Sequence, residues 1–97
     1  MASTPGFVQF VAEQCSDAGH ITARKMFGEY GIYCNGKIFG VICDDRLFFK
    51  VTEAGRALVP HAPLLPPYEG AKPYLLAEDL DDRALLADLV RVTLENC

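Results

Sequence analysis

The sequence predicts a two-layer α+β domain, an antiparallel sheet with helices on one face, its elements in the order α-β-β-β-α-β-β-α. Three observations predict it. Apolar residues recur at helical spacing near both ends of the chain, and at a period of two through its middle. Asn35-Gly36 then stands between two of the period-two runs. An Asn-Gly pair in that setting is the strongest short hairpin signal, because both central positions of a type I′ turn need positive φ.

The elements follow in order. Thr4-Pro5 reads as an N-cap followed by proline at the first helical position, where its missing N–H is not needed. Phe7, Phe10, Val11, Cys15 and Ala18 repeat at helical spacing and Gly19 supplies a stop, so a helix is expected over 5–18. Three antiparallel strands are expected over 21–34, 37–43 and 46–51, with Asp44-Asp45 as the second turn. The first strand is long and bends at Gly28, where an interior glycine signals a bulge. TEAGRALVPH reads as a short helix capped by Thr52 and ended before Pro60. Pro60, Pro63, Pro66 and Pro67 break up a connecting segment, and a smaller strand pair is expected over 66–69 and 72–77 around Gly70. An aspartate of the EDLDD run caps the last helix, which carries Leu85, Leu86, Leu89, Val90, Val92 and Leu94. Its acidic first turn suits the helix dipole.

The 97 residues make one domain, 1–97, with no room for a second core. A chain of this size buries roughly 60–65% of its unfolded surface, and an apolar fraction of 51% supplies the material. The net charge of −4 argues against the whole surface as an electrostatic partner for nucleic acid. Cys15, Cys34, Cys43 and Cys97 stand far apart with no C-x-x-C pair, and His20 and His61 lack metal-ligand spacing. Free buried thiols, no metal and no cofactor are expected. MASTPGFVQF has no basic region leading into an apolar stretch, and no run approaches the roughly 18 apolar residues of a membrane span. A cytoplasmic protein without membrane contact is therefore expected.

The two turns fix a register, and the register sorts side chains onto faces. Residue 34 meets 37, 32 meets 39 and 30 meets 41; beyond the second turn, 43 meets 46 and 41 meets 48. One face then carries Gly31, Tyr33, Ile38, Gly40, Ile42, Leu47, Phe49 and Val51, has no charge, and is the expected core. The other carries Tyr30, Ile32, Cys34, Lys37, Phe39, Val41, Cys43, Arg46, Phe48 and Lys50. Cations interleaved with aromatics on a face the helices do not cover mark an interaction surface. Its candidate residues are Tyr30, Ile32, Lys37, Phe39, Val41, Arg46, Phe48 and Lys50.

The stretch RKMFGEYG, residues 24–31, poses an alternative. Gly28 and Gly31 imitate a phosphate clamp, but no helix follows to aim its N–H groups, and Glu29 opposes an anion. Strand bending and close helix packing account for both glycines. Lys37, Arg46 and Lys50 with stacking on Tyr30, Phe39 and Phe48 would suit direct nucleic-acid binding, which net charge disfavours. The carboxylates of Asp44-Asp45 and of Asp79, Asp81 and Asp82 are accounted for by turn and cap duties. No nucleophile–base–orienter set is visible, so the chain is expected not to be an enzyme, with no small-molecule substrate.

Arg24-Lys25-Met26-Phe27-Gly28, Tyr30-Gly31-Ile32-Tyr33, Gly36, Phe39 and Asp44-Asp45-Arg46-Leu47-Phe48-Phe49-Lys50 resemble the N-terminal domain of the TfoX/Sxy competence regulators. The likeness continues less strictly through PYEGAKPYLLAEDLDD and covers nearly the whole chain. It implies a secretion-chaperone-like α+β fold and a bacterial, cytoplasmic protein linked to transcriptional regulation of DNA uptake. Regulators of this type carry a second, C-terminal domain, so the resemblance points to a stand-alone N-terminal domain. The family offers no catalytic residues to carry over. Its motif residues Arg24, Lys25, Met26, Phe27, Gly28, Gly31, Tyr33 and Gly36 are expected to serve mainly structure. The expected role is a non-enzymatic regulatory module acting through a protein partner or a homodimer.

Overall fold

A computed structural model of the chain describes residues 2–95. Cys97, counted above among the free thiols, lies outside the described residues. Helix α1 runs Pro5–Gln14, capped by Thr4, whose Oγ1 accepts the Phe7 N–H at 3.3 Å. A short 3₁₀ turn, Ser16–Ala18, replaces the end of the helix expected to reach residue 18. Four strands follow: β1 Ile21–Met26, β2 Glu29–Cys34, β3 Lys37–Cys43 and β4 Arg46–Phe49. Then come α2 Glu53–Leu58, β5 Leu64–Leu65, β6 Tyr74–Ala77 and α3 Arg83–Glu95. Thr52 caps α2 by accepting the Gly55 N–H at 3.0 Å, and Asp82 caps α3 by accepting the Leu85 N–H at 3.0 Å. Both caps are those the sequence predicts.

The sheet is antiparallel throughout, in the order β1-β2-β3-β4-β6-β5. The α+β class and the succession of helical and strand segments are as predicted. The expected long first strand does not bend at Gly28, however; it folds back there. Phe27 at φ 52 and Gly28 at φ 83 form a two-residue turn, and β1 and β2 pair with Met26 opposite Glu29. The smaller strand pair is also shorter than expected. Pro66, Pro67 and Pro73 cannot donate to a ladder, so 66–73 is a loop between β5 and β6.

A bulge at Phe39 changes the faces. Cys34 faces Lys37 and Tyr33 faces Ile38, but Ile32 faces Gly40 and Gly31 faces Val41, which leaves Phe39 as an extra residue in β3. Pairing of β3 with β4 keeps the expected register. The bulge therefore exchanges the faces of β2 relative to β4. Tyr30, Ile32, Cys34 and Phe39 join Ile42, Leu47 and Phe49 beneath the helices, with Val11, Leu75, Leu86, Leu89 and Val90. Gly31, Tyr33 and Ile38, expected in that core, stand on the opposite face. Phe39 packs on Phe49 with ring centroids 5.4 Å apart. Gly40 makes the bulge sterically feasible, because a Cβ there would collide with the Phe48 carbonyl.

The opposite face is not open either. Val41, Cys43, Phe48 and Leu76 form a second, smaller core under Met26, Leu65 and Tyr74. The loop 66–73 leaves β5 and brings Pro67 and Tyr68 beside Phe27, Cys43 and Asp44. The proline-broken loop thus covers part of the face that a three-stranded reading leaves bare.

Candidate functional site

The expected interaction face does not exist as one open surface. Ile32 and Phe39 are fully buried on the helix side, and Tyr30 is half-buried against the same core. Val41 and Phe48 are buried in the second core. Lys37 and Arg46 are exposed, Arg46 beside Asp44 at 3.5 Å, and Lys50 is half-buried. The stacking platform proposed for nucleic acid therefore has neither of its phenylalanines at the surface. The cause is the bulge at Phe39 together with the 66–73 loop, and sequence periodicity reveals neither.

The exposed apolar surface lies instead at the tip of the β1–β2 hairpin. Phe27 is 96% exposed, the most of any large apolar residue described, and Tyr68 opposite it is 58% exposed. Between them runs a groove of about 220 Å³ lined by Met26, Phe27, Tyr30, Ile38, Val41, Tyr68 and Tyr74, with Cys43 and one carboxylate residue, Glu29, also at its wall. Gly31 lies beneath two of the lining side chains: a Cβ there would stand 3.2 Å from Met26 Cε and 3.3 Å from both Ile38 Cδ1 and Tyr33 Cε1. Gly31 thus lets three side chains close over the strand. Beside the groove, Arg24 lies over the Tyr33 ring, 5.6 Å from its centroid, and Lys25 is exposed. Motif residues expected to serve structure thus include two, Met26 and Phe27, that line this surface.

A conformational fact sets Phe27 apart. A bulky side chain in the left-handed region is unusual, and Asn or Gly is the ordinary occupant of that turn position. Gly28 and Gly36, at φ 83 and 86, occupy the second turn positions where glycine is expected. The sequence signal for the tip was a spacing: Phe27-Gly28, Asn35-Gly36 and Asp44-Asp45 recur every eight or nine residues, as hairpin turns do. Phe at the first turn position masks it.

The titratable groups are not arranged for catalysis on thiols. Burial pushes the Cys15 thiol up to about 12, with Cys34 adding to the effect and Arg83 opposing it. Burial likewise lifts Cys43 to about 11, with Glu29 and Asp44 adding, and raises Cys34 against the pull of Arg91. Protonated thiols are poor nucleophiles. His61 lines a second cleft of about 290 Å³ with Glu78 and Asp79, and no cysteine lines it. Among the described residues no cluster of three or more His, Cys, Asp or Glu could hold a metal ion, and no helix is long and apolar enough to cross a membrane.

Residues 13–97 match the TfoX N-terminal domain. The chain belongs to that family. The match takes in the RKMFG motif, all six strands and the last two helices of the TfoX N-terminal domain described above. It is also 37% identical over 94 residues to an uncharacterised 12.7 kDa protein in the trpE 5′ region of Spirochaeta aurantia, covering 96% of this chain and 82% of that one. In this TfoX N-terminal domain the stretch at 24–31 thus forms the end of the β1–β2 hairpin, with Phe27 and Gly28 at its exposed tip.

Proposed function

We propose that this TfoX N-terminal domain is a non-enzymatic regulatory module that works by docking a protein partner at its β1–β2 hairpin tip. One observation carries the reading: Phe27 is 96% exposed while held at φ 52, beside an apolar groove. Neither feature helps the fold. An exposed ring gains little from burial and the left-handed conformation costs about 1–2 kcal/mol. Residues that break local rules without structural return gather at functional sites. Aromatic anchors beside well-packed pockets are also what protein interfaces use. The family likeness supports a role in transcriptional regulation of DNA uptake in a bacterial cytoplasm, with the domain serving as the contact between regulator and partner.

The test is quantitative affinity capture from the source cells with the full chain and with Phe27→Asn. Asn suits the turn, so the variant keeps the fold. The reading expects a protein partner that binds the natural chain and is lost from the variant. Identical partner sets for the two chains would overturn it.

A further inference from the structure

Among the described residues, the edge of the sheet next to this tip is unpaired. Strand β1 is the outermost strand there, and it forms a ladder with β2 alone. In a two-residue hairpin the closing pair, Met26 and Glu29, exchanges hydrogen bonds, and bonded pairs then alternate along the ladder. The Asn35 N–H donating to the His20 carbonyl at 2.8 Å fits the same alternation. Thr22, Arg24 and Met26 therefore spend their backbone groups on β2. Ile21, Ala23 and Lys25 turn theirs outward, three N–H and three C=O groups in a row.

The charge beside that row has one sign. Strand β1 carries Arg24 and Lys25, both exposed, and neither makes an ion pair among the described residues. Glu29, the carboxylate on the neighbouring strand, is already engaged: it accepts the Ser3 N–H at 2.9 Å and the Asp44 N–H at 2.8 Å. The chain as a whole has a net charge of −4, so this edge is a local cationic exception on an acidic protein. Two cations at an edge repel a second copy of that same edge. They attract an acidic strand.

We infer that β1 accepts an extended acidic segment of a protein partner as a seventh strand; this rests on the reading of the domain as a protein-docking module. The segment runs antiparallel to β1, as every other pair in the sheet does. Alternation then dictates its pattern. A side chain opposite Met26 lies on the groove side, against Met26 and Phe27, and is apolar. The next, opposite Lys25, lies on the helix side and is acidic. The third, opposite Arg24, returns to the groove side and is acidic. The recognised pattern is apolar-acidic-acidic, read from the tip toward the base of the hairpin. A long polyanion such as nucleic acid fits less well, because Glu29 and Asp44 stand at the tip end of the same surface, beside Phe27 and Gly28.

The test uses the full chain and a fluorescein-labelled ten-residue peptide with Leu-Glu-Glu at its centre and threonine and valine on either side. Anisotropy should show saturable binding that weakens as salt is added. Three changes should each weaken it at least tenfold: a Leu-Lys-Lys centre, N-methylation of alternate peptide amides, and the double substitution Arg24→Glu with Lys25→Glu. Absence of binding at millimolar peptide overturns the inference, as does equal affinity for the lysine or N-methylated peptide. Tighter binding of a twenty-nucleotide single strand that displaces the peptide would assign the edge to nucleic acid. Sedimentation as a dimer whose dissociation releases the edge to the peptide would assign it to a second copy. If a captured partner depends on Phe27 but ignores the double substitution, the strand-addition inference fails while the docking reading stands.

Discussion

Glu29 and Asp44 are joined by a hydrogen bond, the Glu29 Oε2 accepting the Asp44 N–H at 2.8 Å. The other carboxylate oxygen accepts the Ser3 N–H at 2.9 Å, and Ser3 Oγ accepts the Asp45 N–H at 3.0 Å. Asp45 completes the clasp by accepting the Thr4 N–H at 2.8 Å. Asp44 and Asp45 both lie at φ 53, so the β3–β4 turn holds two side chains in the left-handed region. Hydrogen bonds from the N-terminal segment and from Glu29 hold it there. Glu29, read from sequence as an obstacle to phosphate, is a link between three parts of the chain.

Removing that link should destabilise the domain. Glu29→Ala leaves the N–H groups of Ser3 and Asp44 without their charged acceptor, at a cost of roughly 1–3 kcal/mol. Glu29→Gln, which retains one acceptor oxygen, should lose less. Urea unfolding followed by circular dichroism measures both, and an Ala variant with the natural midpoint would show the clasp to be dispensable.

Phe27→Asn should act in the opposite direction. Asn is among the preferred residues for the first position of a type I′ turn, and Phe27 buries almost nothing. The substitution should raise the urea midpoint by an amount worth about 0.5–1 kcal/mol, with the slope unchanged. A gain in stability joined to a loss of binding would mark Phe27 as a residue of function. Destabilisation instead would mean that the ring supports the fold.

Much of the architecture is legible in the residues. Thr4-Pro5, Thr52 and Asp82 announce helix starts, and Asn35-Gly36 announces its turn, because capping and positive φ are local demands that few residue types meet. The faces of the sheet were not legible past Phe39. A bulge adds one residue to one strand and has no composition of its own, yet it exchanges every side chain beyond it. Gly40 carried the trace, since only glycine tolerates the approach of the Phe48 carbonyl, but a strand glycine alone does not say which way register shifts. The second core was hidden for a different reason. Its cover comes from Leu65, Tyr74 and the 66–73 loop, contacts distant in sequence from Val41 and Phe48. The site moved accordingly, from the middle of the sheet to a hairpin tip.

The close approach at the bulge gives a sharp prediction. Gly40→Ala places a methyl group against the Phe48 backbone, which has no rotamer by which to move away. Overpacking of this kind costs about 1–3 kcal/mol, and Phe39 and Ile32 would have to shift with it. Chemical denaturation should show the loss. Gly28→Ala is the control, since a Cβ there meets nothing within 4 Å and only its φ of 83 is strained. An unchanged midpoint for Gly40→Ala would mean that the Phe48 backbone moves aside and that crowding does not fix Gly40.

The buried thiols predict how stability responds to alkali. Cys15 and Cys43 titrate at about 12 and about 11 in the fold, above the ordinary 9.0 that the unfolded chain restores. Below about pH 9 the thiols are protonated in both states and contribute no pH dependence. Between pH 9 and the folded values the unfolded chain has lost protons that the native chain retains, so stability falls as pH rises. Cys15→Ala removes one of these groups and should flatten the decline between pH 9 and 11, although it lowers stability at pH 7 through the cavity it leaves. Comparing the two slopes cancels every contribution that the two chains share. Iodoacetamide should likewise modify neither thiol appreciably at pH 8 under native conditions, and rapid labelling of Cys15 there would show that its burial is not maintained.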